Sequence, residues 1–440
     1  MGEWAEPSAP DRAAVEQGGA ARPAPPAPAA AAAPHLPTLS RHPAVVASPA
    51  STAAPFDALT GATTARPAAE TAPAPLDPQW RSKLSPDHVV QDAGCAADTS
   101  SAAGLAAFFA EPVGTIQGFD EPRTYSLGDG RTLWVLQDAF TDETGTARSF
   151  AHMGYANSMA LIQEGNCFTS LRRGTADEAV AFEIGHGDIS FDHYFWPAGG
   201  AVADGVLQMF WMEMVRDDME LGPLDGIALH PVATWLATYD VATMQRLSFE
   251  LAPNPGVMPV YGYHVAESGD WAYLFGNSFL QNLALEGGVE RGPHSATFEY
   301  LARVPRGHLD AAPTYWNGSG WSGDAEAAAP ISARNWIENL MLPVLIDGRW
   351  VSATKTDGFL GSTVTVDAAP DPWGPWSTVA TLPVIPRGDP TDVVTYHATV
   401  LPFLDPSGQV IVALSQVPMD LGATSAPPRY RPQFITVTLP

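Results

Sequence analysis

The sequence predicts an all-β protein, a five-bladed β-propeller preceded by a disordered Ala/Pro-rich N-terminal tail. Five strand-like apolar runs each stop on one polar or charged residue, and each follows another apolar run with a polar or aromatic residue near its start. The strand ends are Asp138, Glu213, Asn277, Lys355 and Gln416, and the earlier residues are Asp120, Trp196, Tyr261, Asn339 and His397. Members of a pair are about 16 to 19 residues apart. An antiparallel hairpin at each place would bring the five pairs to one rim.

A turn sequence lies inside each predicted hairpin and supports the repeat. Asp or Ser stands beside Gly between the two apolar runs, where a left-handed backbone conformation is needed. The five turns are LGDGRT at 127–132, VADGV at 202–206, ESGDW at 267–271, IDGRW at 346–350 and DPSGQV at 405–410.

A third strand follows each hairpin, which gives a unit of three or four strands repeated five times. The third strands are predicted within 157–171, 234–249, 299–313, 363–379 and 433–440. Small sheets that cannot bury a face alone stack radially into a propeller. A pair of β-sandwich domains is the alternative, but it does not explain polar residues in phase. The predicted blades span about 115–175, 190–252, 256–318, 332–384 and 390–440 within a propeller of 115–440.

The N-terminal part of the chain differs in composition. Residues 1–80 are dominated by Ala and Pro and predict a disordered tail, because such a segment buries too little apolar surface to offset its ordering entropy. Residues 81–114 form a lead-in segment, with a short helix predicted at about 100–110.

The charge balance limits the partners. The chain has 48 acidic and 22 basic residues, for a net charge of −26. This argues against nucleic acid, whose phosphates need neutralising, and against anionic membranes. Neutral partners such as sugars, or cationic ones, remain, and acidity that serves only solubility is the alternative. No apolar run is long enough to cross a bilayer, so we expect no membrane insertion.

Two cysteines, Cys95 and Cys167, leave the compartment open. A disulfide between them would suit an oxidising compartment, and two unpaired thiols are the alternative. No secretory signal is visible, and the extracellular space or the cell envelope is favoured.

Carboxylates at the predicted tunnel mouth are the candidates for catalysis. Asp120, Asp138, Glu213 and Glu338 would converge there, and like charges held close keep one of them protonated near neutral pH. We assign Asp120 as general base or nucleophile, Asp138 as its partner or pKa tuner, and Glu213 as general acid. Each could instead be structural: Asp138 and Glu213 as strand caps, and Asp120 with Glu121 as a solvated turn.

Aromatic and amide side chains near the same rim are candidates for substrate binding. Flat aromatic rings would stack on sugar rings, and amide and imidazole groups would hydrogen-bond sugar hydroxyls. Lys355 would pair with an acid, and Glu338 is also a candidate for substrate binding. The rings are Trp196, Tyr261, Tyr263 and Trp336, and the hydroxyl-binding residues are Asn157, Asn277, Asn339 and His397. Core packing is the alternative for Trp196 and His397.

The first-blade sequence GFDEPRTYSLGDGRTLWVLQDAF at 118–140 resembles the opening of uncharacterised bacterial five-bladed propeller families. These are similar to the arabinanase, β-xylosidase and fructosidase superfamily of glycoside hydrolases, with endo-D-arabinanase relatives among them. DPWGPWS at 371–377 resembles an outer-strand motif of that superfamily.

The resemblance implies hydrolysis of a furanoside or related glycan. It matches Asp120 and Asp138 to paired first-blade acids, with Glu213 or Glu338 completing the set. Relatives have Gly-Asp-Thr where this chain has Gln137-Asp138-Ala139, which leaves the role of Asp138 open. Some relatives hold a calcium ion or water with a central His, and His397 is the residue placed for that; no other cofactor is expected.

The sequence therefore predicts a monomeric glycoside hydrolase with a carbohydrate substrate. The alternative is a propeller that binds a glycan, or another partner, without cleaving it. Paired carboxyl groups roughly 5 to 10 Å apart across one pocket would favour the enzyme.

Overall fold

The computed structural model describes residues 76–147, 149–173, 181–187, 189–190, 192–216, 229–256, 259–277, 297–334, 341–355, 363–384, 393–418 and 429–440. They belong to one compact unit, 66–440. Most of the predicted tail lies outside the described residues. Its last residues do not behave as a tail, because Trp80 is buried and its indole nitrogen donates to Glu164 at 2.9 Å. The Arg131 guanidinium lies 4.9 Å from the centre of the Trp80 ring.

The described strands form five antiparallel sheets, which are the blades. Blade one has the order β1-β5-β4-β3-β2, with β1 (Val89–Cys95), β2 (Ile116–Ser126), β3 (Arg131–Thr141), β4 (Gly154–Glu164) and β5 (Cys167–Arg172). Blade two contains β6 (His193–Ala203), β7 (Val206–Arg216), β8 (Leu229–Asp240) and β9 (Arg246–Leu251). Blade three contains β10 (Val260–Ser268), β11 (Trp271–Asn277), β12 (Thr297–Pro305), β13 (Thr314–Trp316), β14 (Trp321–Ser322) and β15 (Ser332–Arg334).

Blades four and five complete the ring. Blade four contains β16 (Val344–Ile346), β17 (Arg349–Lys355), β18 (Thr363–Ala369) and β19 (Ser377–Pro383). Blade five contains β20 (Val393–Leu404), β21 (Val410–Pro418) and β22 (Gln433–Val437). The part of the chain that the structure describes has helices α1 (Trp80–Lys83) and α2 (Ala102–Phe109) and two single 3₁₀ turns at Phe150–His152 and Ala325–Ala327. No helix among the described residues is long and apolar enough to cross a membrane.

The innermost strands of the blades, β2, β6, β10, β16 and β20, contact one another in a closed ring. β2 contacts β6 and β20, β10 contacts β6 and β16, and β16 contacts β20. The five-bladed β-propeller predicted from the sequence is confirmed, and the five predicted hairpins pair as antiparallel strands.

The hairpin turns show why Asp and Gly occur at these places. In blade two Asp204 and Gly205 have φ of 51° and 76°, and in blade four Asp347 and Gly348 have φ of 49° and 76°. Two consecutive left-handed residues make the turn whose twist matches the flanking strands, and Asp-Gly forms it at low cost.

A strand of the lead-in segment extends blade one. Residues 89–95 pair with β5 as the outermost strand of that sheet, which the sequence did not predict. Cys95 faces Cys167 across this pair, and the two cysteines form a disulfide bond.

Helix α2 closes the ring between blades one and five. The Ser101 hydroxyl caps its N-terminus by accepting from the Gly104 amide at 3.1 Å. The buried ring of Phe109 lies 5.4 Å from Trp134 of blade one and 5.5 Å from Phe434 of blade five. Arg431 of blade five donates to the carbonyl oxygens of Ala110, just after α2, and of Gln117 in β2. Closure therefore depends on an apolar helix.

We predict that Phe109→Ala lowers the free energy of unfolding by about 3–5 kcal/mol, because it leaves a cavity where two blades meet. Denaturant unfolding measures the change. Phe108→Ala is the matched control, since its ring is only half-buried on the same helix and should cost less. Equal losses in the two variants would contradict the closing role of Phe109.

Candidate functional site

Three of the inner strands, β2, β10 and β20, share a bulge close to the predicted rim. The pairing register shifts after Asp120 in β2, after Tyr261 in β10 and after Tyr396 in β20. The next residue has positive φ in each case, 28° at Glu121, 84° at Gly262 and 44° at His397. A bulge re-aims the side chains around it.

The registers place the predicted strand ends at one level. In four blades, the residue just before the predicted strand end pairs with a residue at the bulge region of the inner strand. The facing pairs are Asp120 with Gln137, Trp196 with Met212, Tyr261 with Gly276 and Tyr396 with Ser415. The predicted phase is thus present in blades one, two, three and five. In blade five, however, Tyr396 occupies the position equivalent to Asp120, and His397 is one residue beyond it.

Asp120 is a buried carboxyl group with a raised pKa. Its side chain is held by the Tyr396 hydroxyl, which donates to Oδ2, and by the Glu121 amide, which donates to Oδ1 at 2.6 Å. Burial raises the pKa to about 8, and the negative charges of Asp138 and Glu121 add to the effect, against the hydrogen bond from Tyr396. Asp120 therefore carries a proton at neutral pH, which suits a general acid rather than the base or nucleophile predicted from the sequence.

Asp138 is half-exposed and accepts two hydrogen bonds on one oxygen. The Tyr155 hydroxyl donates to Oδ1 at 2.7 Å, and the Trp196 indole nitrogen donates to the same atom at 2.9 Å. The Asn157 amide donates to the Tyr155 hydroxyl at 3.2 Å. Donors of this kind stabilise an ionised carboxylate. The structure thus brings together Asp120, Asp138, Trp196 and Asn157, with Tyr155 as a member that the sequence did not predict.

A second group of polar residues surrounds Glu121, the residue next to Asp120, which is fully buried. Arg123 donates to Glu121 Oε1 at 2.6 Å, and the Tyr263 hydroxyl donates to Oε2 at 3.3 Å. His397 Nε2 lies 3.6 Å from Oε2. Tyr263 and His397 therefore contact Glu121, whereas the sequence predicts that they face substrate. The acid and base in the Glu121-Pro122-Arg123 sequence were the available signal for this cluster.

The surroundings of His397 do not suit the calcium ion that the resemblance allows. Glu121, the nearest carboxylate, is already paired with Arg123, and the guanidinium charge would repel a cation. Within the described part of the chain, no group of three or more His, Cys, Asp or Glu side chains could hold a metal ion.

Glu213 lies at the same strand level in blade two but has its own partners. His193 Nε2 is 2.7 Å from Oε1, and the Trp235 indole nitrogen donates to Oε2 at 2.7 Å. These contacts stay within blade two, so the structure places Glu213 beside His193 and Trp235.

The remaining predicted binding residues are buried or outside the described residues. Tyr261 is 4% exposed and packs in the core, 5.1 Å from the Tyr315 ring, so it does not present a face to a sugar as predicted. Asn277 and Lys355 are buried at the strand ends of blades three and four. Trp336, Glu338 and Asn339 lie outside the described residues.

Comparison with known proteins places the chain in a family. Residues 106–438 match the family described as a domain of unknown function, DUF5005. The chain belongs to this family. No protein of curated function matches the sequence.

Several solved structures are similar in fold. A candidate hydrolase from Bacteroides ovatus shares 17% identity, with a TM-score of 0.56 over 82% of this chain and 95% of that one. A GH43_1 enzyme from Xanthomonas citri in complex with xylose shares 15% identity, with a TM-score of 0.40 over 73% and 88%. An exo-β-1,3-galactanase from Phanerochaete chrysosporium shares 12% identity, with a TM-score of 0.38 over 80% and 64%. At 17% identity, the Bacteroides ovatus structure bears on the fold alone and agrees with the propeller expected from the resemblance.

We predict that Asp120→Asn changes how stability depends on pH. The pKa of Asp120 is raised from 3.8 to about 8, so its favourable contribution is complete below about pH 4 and is lost as the pH rises through 8. The variant should therefore gain stability relative to the wild type as the pH rises over this range, as measured by unfolding at several pH values. Asp204→Asn removes a carboxylate from an exposed turn and should follow the wild type. A difference between Asp120→Asn and wild type that does not vary with pH would contradict the raised pKa.

Proposed function

We propose that the protein is a glycoside hydrolase that acts on a furanoside or related polysaccharide at the mouth formed by blades one, two and five. The observation that carries the proposal is the pair of Asp120 and Asp138, of which one is buried and protonated and the other is half-exposed and held by two donors. Burial raises the pKa of Asp120, and the negative charge of Asp138 raises it further, which supports a functional link between the two carboxyl groups.

The pair fits the needs of glycosidic bond cleavage. One carboxyl group must give a proton to the leaving oxygen, and one carboxylate must activate water or attack the anomeric carbon. Asp120 supplies the proton and Asp138 the negative charge. Tyr396 orients Asp120, and Trp196 with Tyr155 orients Asp138. Asp120 thus takes the general-acid role that the sequence suggested for Glu213, and Asp138 takes the role suggested for Asp120, because burial raises the pKa of Asp120.

Glu213 is the third carboxylate of the proposal. It lies at the same strand level, and His193 with Trp235 fixes its side chain. In the proposed enzyme it binds sugar hydroxyls from blade two. The half-exposed ring of Trp196, next to Asp138, is the surface on which a sugar would stack.

The disulfide bond and the net charge of the chain support a compartment and a class of substrate. The disulfide between Cys95 and Cys167 suits an oxidising environment, which supports an extracellular or cell-envelope location. The net charge of −26 favours a neutral glycan over a polyanion.

A glycan-binding propeller without catalysis is the second candidate. Asp120 is only 5% exposed, and both of its oxygens accept hydrogen bonds from the protein. A carboxyl group satisfied in this way serves a structural role unless substrate binding rearranges the mouth. Catalytic hydrogen bonds often tighten or change in the substrate complex, so the activity of the Asp120 variant distinguishes the two functions.

We predict release of reducing sugar from at least one of arabinan, arabinogalactan, fructan and xylan. Asp120→Asn and Asp138→Asn should each reduce turnover on that substrate by about 10³-fold or more while the protein stays folded. Asp204→Asn, on an exposed turn, is the control and should keep the wild-type rate. No release from any of the four polymers would favour the binding function, and full activity of Asp120→Asn would reject the assignment.

A further inference from the structure

A group of tryptophans lies where blades three and four meet, far from the mouth. We call Trp271, Trp316, Trp321, Trp373 and Trp376 the tryptophan cluster. All five side chains are half-buried, although they pack against a shared apolar core. Clustered indoles that keep part of their surface in water are typical of binding surfaces, because a core would enclose them.

Two segments supply the central members of the cluster. Trp316 and Trp321 stand on the β13–β14 hairpin of blade three, and Trp373 lies in the segment between β18 and β19 of blade four. Trp316 stacks on Trp373 with ring centres 5.0 Å apart and planes 14° apart. Trp321 meets Trp373 edge to face at 5.9 Å and 80°. The indoles thus support one another in fixed orientations, which lowers the entropic cost of holding a ligand.

The half-buried guanidinium of Arg303 limits which ligands the cluster suits. The Arg303 guanidinium lies 3.8 Å from the Trp271 ring centre and 4.2 Å from that of Trp321, so it occupies the space between them. A second cation there would be repelled. A polyanion or an anionic membrane would be repelled by the net charge of the chain, and Asp371 stands exposed beside Trp373. A neutral ligand with apolar faces and hydroxyl groups remains, which describes a polysaccharide.

The cluster is distinct from the mouth. Trp271 begins β11 and Asn277 ends it, and Asn277 marks the level of the mouth in blade three. At about 3.3 Å per residue, the strand separates the two levels by about 20 Å. A sugar bound at the cluster would therefore lie outside the candidate catalytic site.

We propose that the tryptophan cluster is a second carbohydrate-binding site, which holds a neutral polysaccharide by stacking on indole faces. The choice of ligand rests on the proposed function, since the cluster would retain the polymer that the mouth cleaves. Asp371 accepts hydrogen bonds from sugar hydroxyls, and Arg303 fixes Trp271 and Trp321 in place.

Binding and hydrolysis are measured separately to test this proposal. Asp120→Asn serves as the starting protein, so that the polymer is not consumed, and its retention on arabinan, arabinogalactan, fructan and xylan is measured by affinity electrophoresis. Trp316→Ala and Trp373→Ala are then added singly, and each should weaken binding by about tenfold. Leu247→Ala is the control, since Leu247 is 56% exposed on blade two, and it should bind unchanged. Thermal unfolding checks that each variant is folded, and Trp373→Phe should restore most of the binding.

The outcomes separate this inference from the proposed function. Retention that is lost in the folded Trp316→Ala and Trp373→Ala variants supports the site, even if the wild type hydrolyses none of the polymers and the hydrolase proposal fails. Retention within twofold of the parent in both variants overturns the site. Absence of retention on all four polymers also overturns it, whatever hydrolysis shows.

Discussion

The buried charge of Glu121 is the constraint on which the centre of this propeller depends. An isolated carboxylate in such a place would cost several kcal/mol of desolvation, so its partners must be held close. Arg123 of the same strand pairs with it, Tyr263 of blade three donates to it, and His397 of blade five lies beside it. Polar contacts from the same inner strands reach the other two blades, Tyr125 to the Ala198 carbonyl and His264 to the Pro343 carbonyl. The inner strands are therefore aligned by specific polar contacts, while apolar packing joins the blade faces.

The bulge that points Glu121 inward also creates the chemistry at the rim. Because Glu121 takes a left-handed conformation, Asp120 stays at the mouth and its oxygen accepts from the next amide. Burial raises the pKa of Asp120, and the charges of Asp138 and Glu121 raise it further. The buried carboxylate of Glu121 therefore helps to keep Asp120 protonated. The alignment of the inner strands and the proton state of the proposed acid both depend on the bulge at Glu121.

The sequence predicts what depends on local pattern and misses what depends on distant pairing. The hairpins follow from short apolar runs separated by turns with Asp or Ser beside Gly, and they are confirmed. The phase of the strand ends is present in blades one, two, three and five. A bulge leaves no mark in the sequence pattern, so the pattern indicates His397, one residue beyond Tyr396, and does not indicate Glu121. The pattern also predicts Tyr261 at the mouth, yet Tyr261 packs in the core because nearby apolar residues cover it. The proton on Asp120 depends on burial by residues far along the chain, which no local pattern encodes.

The candidate site lies at the seam where the ring closes. Asp120 belongs to blade one, whereas Tyr396 and Ser415, which contact it and its neighbouring amide, belong to blade five. Helix α2 and Arg431 hold these blades together on the same side of the ring. Opening of the seam would hydrate Asp120, and its pKa would fall toward the ordinary range because burial is the largest cause of the shift. The apolar closure of the propeller therefore maintains the protonated state of Asp120, so the stability of the seam and the proposed acid catalysis are physically coupled.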